Sequence, residues 1–172
     1  MQVYDSLDVP YSPGVYLLHL ELPRPRSLRI GKLGEFNLPA GQYLYVGSAL
    51  GPGGLRARLG RHLRGSENRH WHIDWLRRVS EVKGCFYSAT NNHLECSWNQ
   101  FLLDLPGACI PVSGFGASDC RNKPTPCTAH LVWFGSGADI NLISDNLPVD
   151  GKSQVVYQKF TTHIQPDYDD IE

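Results

Sequence analysis

The sequence predicts a single α/β domain of the α+β type. Three observations carry this expectation. Runs rich in β-branched and aromatic residues recur at 14–21, 42–48, 82–89 and 131–134, set off by turn-forming residues as strands are. Between them, 55–63 and 94–105 place leucines and aromatics at helical spacing. Finally, 172 residues with 41% hydrophobic content supply one domain with enough apolar material for a core.

In chain order, Met1 to Gly14 carries Asp5, Asp8 and two prolines, with no basic region followed by an apolar stretch. No secretory signal is therefore expected. No apolar run approaches the ~18–20 residues that a membrane helix needs. Residues 14–21, Gly-Val-Tyr-Leu-Leu-His-Leu-Glu, follow the turn signal Ser12-Pro13 and read as the first strong strand. Leu28 to Ile30 and Glu35 to Leu38 read as minor strands or loop edges. After Pro39-Ala40-Gly41 comes Gln42 to Ser48, the next strong strand. Leu50-Gly-Pro-Gly-Gly54 is a flexible connection, and it is no phosphate-binding loop because no Gly-Lys-Ser/Thr closes it.

Leu55, Leu59 and Leu63 step by four along a helix that Gly65-Ser66-Glu67-Asn68 breaks. A second short helix is expected over 70–78 and a strand over 82–89. Residues 94–105 form the clearest helix, with Leu94, Trp98, Phe101, Leu102 and Leu105 on one face and Pro106-Gly107 ending it. Residues 109–127 read as a loop rich in Gly, Ser, Asp and Pro, before a last core strand at Leu131 to Phe134. One domain over 1–148 is expected. The remaining 149–172 read as a C-terminal extension ending in an acidic, disordered tail at Pro166 to Glu172. There is no internal repeat.

The formal net charge of −1 hides an asymmetry. Residues 53–78 carry seven arginines (56, 58, 61, 64, 69, 77 and 78) against Glu67 and Asp74, with His62, His70 and His72 among them. Residues 137–172 carry seven acids against Lys152 and Lys159. Arginine in place of lysine suits planar, bidentate phosphate recognition. A solvated helix face balanced by an acidic tail is the other reading. Five cysteines are an odd, modest number for this size. They argue against a disulfide scaffold and for a reducing, cytoplasmic setting.

Two tyrosine–glycine signatures stand in order, Gly14-Val15-Tyr16 and Tyr45-Val46-Gly47. The pair resembles the two halves of the GIY-YIG nuclease signature, with Val for Ile in both. Leu55-Arg-Ala-Arg58-Leu followed by His62 resembles the family's arginine helix. Further matches are Gly31-Lys-Leu-Gly34, Arg61-His-Leu-Arg64, His70-Trp-His-Ile-Asp-Trp75, Gly114-Phe-Gly-Ala-Ser-Asp-Cys120 and Ala129-His-Leu131. This series resembles the sparsely characterised branch of that superfamily known as domain of unknown function 123, sometimes fused to endonuclease III-type repair enzymes. The resemblance implies a small, mainly antiparallel three-stranded central sheet flanked by helices, with extra material inserted over 22–41.

The resemblance also implies roles. Tyr16, Tyr45, Arg58, His62 and Glu95 would be catalytic, with Glu95 holding Mg²⁺ or Mn²⁺ and Arg56 the fallback for Arg58. Lys32, Arg56, Arg61, Arg64 and His70 would contact nucleic acid, while His72, Asp119, Cys120 and His130 would be accessory. Phosphodiester cleavage needs a base for water, a cation to meet charge on phosphorus and a metal near the leaving oxygen. A tyrosine titrating near ~10 needs a neighbouring cation or hydrogen bond before it can be that base. Taken singly, strand tyrosines are packing residues, Glu95 a helix N-terminal acid and Arg58 a solvated side chain.

A second constellation, Cys96, Cys120, Cys127 and His130, has the donors of a zinc site but loose spacing and no Cys-x-x-Cys pair. Buried free thiols are the competing reading. Asp119 with Ser118 is either a turn cap or part of a substrate-facing loop. The expected function is metal-dependent cleavage of DNA, associated with base-excision-type repair and the nucleoid. The alternative is a non-catalytic nucleic-acid-binding or protein-interaction module that kept the fold.

Overall fold

Alternation along the strands sorts the core into two halves, and this arrangement positions the site. The computed structural model describes residues 2–4, 7–65, 68–120 and 122–164. In chain order the strands and helices are β1 (Gln2–Tyr4), β2 (Gly14–Leu22), β3 (Arg26–Ile30), β4 (Gly34–Leu38), β5 (Gly41–Ser48), α1 (Gly54–Arg64) and α2 (His72–Arg77). They continue with β6 (Glu81–Ala89), α3 (Glu95–Leu103), a 3-10 turn at Ser118–Cys120, β7 (Leu131–Trp133), α4 (Ile140–Asn146), β8 (Val156–Lys159) and β9 (Thr162–Ile164).

The central sheet is fully antiparallel, in the order β7-β5-β2-β6-β8. It has five strands rather than the three expected. The three expected strands, β5, β2 and β6, form its middle, and two short strands complete the edges. Edge strands pair on one side only, so β7 and β8 need no long apolar run to hold their place. β8 lies beyond residue 148, and Phe160 just after it is buried in the core. The expected boundary at 148 therefore cuts through folded structure. The expected acidic tail lies outside the described residues.

β2 shows the sorting of faces. Tyr16, Leu18, Leu20 and Leu22 point into one core, which α1, α2 and the β3–β4 hairpin cover. Val15 and Leu17 point into the other, which α3 and α4 cover with Trp98, Leu102 and Ile143. On β5, Tyr43 and Tyr45 go to the first face, and Leu44 and Val46 to the second. The leucines of α1 all bury on the first face, as their spacing of four predicts. Residues 22–41 are filled by the hairpin, a separate two-stranded sheet lying against α2.

Helix α2 is shorter than the expected 70–78. The Asp74 carboxylate accepts hydrogen bonds from the backbone N–H groups of His70 and Trp71, at 2.9 Å each, and so fixes the helix start. Helix α4 sits where no element was expected. Asp139 caps it by accepting from the Leu142 N–H.

Candidate active site

The two signature tyrosines point to the same side of the sheet from adjacent strands. Tyr16 lies opposite Gly47 in the β2–β5 register. A Cβ at Gly47 would overlap the Tyr16 hydroxyl, so the glycine makes room for the phenol to cross its neighbour strand. Behind that phenol lies His62 of α1, with its Nε2 at 2.8 Å from the Tyr16 hydroxyl in a buried contact. The Tyr45 ring meets His62 edge-on and Phe115 likewise. Gly116 in turn packs close against the Tyr45 ring and donates its N–H to His72 Nδ1 at 3.0 Å.

Burial dominates the electrostatics of this cluster. It raises the Tyr16 pKa well above the usual phenol range, the neighbouring Tyr45 adds to the rise, and Arg58 and Arg61 pull down without overcoming them. Tyr45 is pushed up to about 12 by burial, against the lowering influence of Arg58. Burial drives His62 the other way, to about 3, with Arg61 lowering it further. At neutral pH the Tyr16–His62 pair is therefore a phenol beside a neutral imidazole.

Tyr16 and Tyr45 line one wall of a cavity of roughly 500 Å³. Arg58, His70 and Trp71 line it from the helical side, and Gly31, Lys32 and Leu33 from the hairpin tip. Glu95, Ser118, Asp119 and His130 complete it. The body of α3 packs on the face opposite the tyrosines, yet its first residue, Glu95, reaches this cavity. β7 pairs with β5 only over Tyr43 to Tyr45, so beyond Tyr45 the outer edge of β5 faces the loop at His130, whose carbonyl accepts from Val46 N–H. Glu95 is 8% exposed. Oε1 lies 3.5 Å from both His93 Nδ1 and Lys123 Nζ. Oε2 is buried without a hydrogen-bond partner among the described residues. A buried carboxylate oxygen without a hydrogen-bond partner, in a residue that lines the cavity, is compatible with holding a hard divalent cation.

The Cys96, Cys120, Cys127 and His130 side chains come together beside this wall. Their donor atoms all lie within 4.8 Å of one another, a cluster compatible with metal binding.

A family model described as "Domain of unknown function DUF123" matches residues 15–147, more than half of the chain. The chain belongs to the DUF123 family. No curated protein and no solved structure matched it.

Within this DUF123 chain the arginine-rich segment is less uniform than its charge suggests. Arg58 lines the cavity, with its guanidinium 4.4 Å from the centre of the Trp71 ring. Arg61, expected on a phosphate-binding surface, instead makes paired hydrogen bonds to Asp74 at 2.9 and 3.1 Å and stacks on Trp71. Burial alone would raise the Asp74 pKa, but the Arg61 hydrogen bonds and the two backbone N–H groups outweigh it and hold the group below its ordinary value. Arg56 donates to the Val9 carbonyl and lies over the Tyr11 ring, outside the cavity. Arg77 is buried and donates to the carbonyls of His62, Leu63 and Ser80. Arg64 is exposed, as are Lys32 and His70 on the cavity rim.

Sequence reasoning missed two residues of the DUF123 site. Trp71 is the ring that carries both Arg58 and Arg61, and the sequence marked it only as part of the His70 to Trp75 match, with no role in the site assigned. Lys123 approaches both Glu95 and Cys96. It sits in a loop with no periodicity to mark it.

Proposed function

We propose that this DUF123 chain is a metal-dependent phosphodiesterase of the GIY-YIG type that cleaves DNA. The observation that carries the reading is the cavity itself, which Tyr16, Tyr45, Arg58 and Glu95 all line. These are the base, cation and metal ligand that phosphodiester cleavage needs, drawn from four separate elements. A divalent cation held by Glu95 would supply positive charge near the leaving oxygen.

The chain's own groups do the rest. Trp71 holds Arg58 at the cavity wall, where its guanidinium meets charge building on the phosphoryl oxygens. Tyr16 takes a proton from the attacking water at its hydroxyl oxygen while its own proton passes to His62 Nε2, 2.8 Å away. In the free protein, burial keeps that relay uncharged. A phosphate anion in the cavity favours the imidazolium, so the relay becomes easier when substrate is bound. Lys32 and His70 on the rim suit a polyanionic strand entering from the hairpin side.

The test is nicking of supercoiled plasmid with Mg²⁺ or Mn²⁺. Glu95→Ala should abolish metal-dependent nicking while DNA binding persists. Arg58→Ala should lower turnover by about 10²–10³, the usual effect of removing one charge stabiliser, and change affinity far less. Wild-type protein that binds DNA yet cleaves no duplex, nicked, flapped or single-stranded substrate overturns the reading in favour of a binding module.

A further inference from the structure

Three cysteines and one histidine from separate segments face one another beside the cavity. Cys96 sits on the first turn of α3, Cys120 ends the 3-10 turn, Cys127 lies in the loop that follows, and His130 directly precedes β7. The Cys96 and Cys120 sulfurs are 3.4 Å apart, and Cys120 Sγ is 3.2 Å from His130 Nε2. A tetrahedral zinc ion with Zn–S of about 2.3 Å and Zn–N of about 2.0–2.1 Å holds its ligand atoms roughly 3.5–3.8 Å apart. The four donors thus already approach ligand spacing.

The donor chemistry narrows the ion. Three soft thiolates and an imidazole favour Zn²⁺ over Mg²⁺ or Ca²⁺, which prefer oxygen. Four protein ligands close the coordination sphere and mark a structural rather than a catalytic ion. Three thiolates around Zn²⁺ leave one net negative charge. Lys123 Nζ, which donates to Cys96 Sγ at 3.1 Å, lies where that charge needs a partner. As mere packing residues, thiols aimed at one another give only weak hydrogen bonds and fill the space no better than carbon would.

We propose that Cys96, Cys120, Cys127 and His130 bind one Zn²⁺ that clamps the wall of the cavity. Glu95 immediately precedes Cys96, Asp119 immediately precedes Cys120, and His130 itself lines the cavity. One ion therefore fixes three lining segments at once. The stretch between α3 and β7 has only the short 3-10 turn of regular structure among its described residues. It is held by loop hydrogen bonds, such as Gly114 N–H to Thr128 O and His130 N–H to Phe115 O, and by the buried side chains of Val112, Phe115 and Ala129. Metal binding there would add a link from this loop to the start of α3.

The experiment is metal analysis of the full-length protein, purified without chelator. One zinc per chain is expected in the wild type and in Glu95→Ala, so the result does not depend on the nuclease reading. Cys127→Ser and Cys120→Ser should contain zinc well below one per chain. Removing zinc with a strong chelator should lower the melting temperature and open the 109–130 segment to protease. Should the serine variants fail to fold, Co²⁺ added to the zinc-free wild type serves instead. It should give the visible spectrum of a tetrahedral cobalt–thiolate centre, which Zn²⁺ then displaces. Zinc-free wild-type protein with no such cobalt spectrum overturns the proposal, as does a Cys96–Cys120 disulfide in the purified chain. A zinc-loaded protein that never cleaves DNA would overturn the proposed function and leave the zinc site standing.

Discussion

Tyr16 and His62 form a buried couple that bears on the stability of the fold as well as on the proposed chemistry. His62 Nδ1 already lacks a hydrogen-bond partner among the described residues, and Nε2 has only the Tyr16 hydroxyl. Tyr16→Phe strips the imidazole of that partner and should destabilise the fold by about 1–3 kcal/mol. An unchanged urea midpoint would show that the contact is not made in solution. The same imidazole sets a pH dependence. Its pKa is about 3 in the folded chain against 6.5 ordinarily, mainly because burial disfavours its charge. Below about pH 6.5 the unfolded chain takes up a proton that the folded chain refuses. Stability should then fall as pH drops toward 3, by about 1.4 kcal/mol per pH unit from this group alone. His19 is lowered by burial in the same direction. Denaturant unfolding at stepwise lower pH should show the slope, and His62→Gln should reduce it.

Helices α1 and α2 are joined by charge placed inside rather than displayed outside. Arg77 occupies carbonyls at the C-terminal end of α1, and the Arg61–Asp74 pair ties the last turn of α1 to the start of α2. Charge counting treats Arg61 and Arg64 alike, whereas the structure separates them. Arg61→Ala leaves the largely buried Asp74 carboxylate without its guanidinium and should cost about 1.5–3 kcal/mol. Arg64→Ala, on the exposed side of the same helix, should stay within about 0.5 kcal/mol. Thermal melts of the two variants check this, and equal losses would refute the separation.

For the whole molecule, the edge of the sheet decides where the domain ends. β8 pairs with β6 over Gly84 to Tyr87, and Phe160 enters the core. A chain cut after residue 148 should therefore lose its cooperative unfolding transition. Retained two-state unfolding at the same midpoint would restore the shorter domain. Charge at this scale concerns binding. With a formal net charge of −1, the proposed affinity for DNA would draw on Lys32 and Arg58 at the cavity and the exposed Arg64. Each phosphate contact adds about 0.9 to the log–log salt slope on duplex DNA. Lys32→Ala and Arg64→Ala should each flatten that slope, and an unchanged slope in both would place the DNA contact elsewhere.

Much of this protein was determined by the sequence alone. The strands at 14–21, 42–48 and 82–89 and the helices at 55–63 and 94–105 follow from local periodicity, because each must bury one apolar face. Tyr16, Tyr45, Arg58 and Glu95 were singled out through the resemblance of their order along the chain, and they line one cavity. Tertiary structure decided what depends on partners distant in sequence. β7 was legible at Leu131 to Phe134, whereas β8 exists through pairing rather than propensity, and α4 through its Asp139 cap and the core against which it packs. Arg61 and Arg77 look like Arg58 in sequence, yet a carboxylate and several carbonyls draw them inside, where an unpaired charge would be costly. Glu95 lines the same cavity as the tyrosines although the body of its helix packs on the opposite face of the sheet, an approach that no local periodicity predicts. The four metal-type donors, whose spacing in sequence was loose, meet only when α3, the 3-10 turn and the start of β7 fold onto one edge.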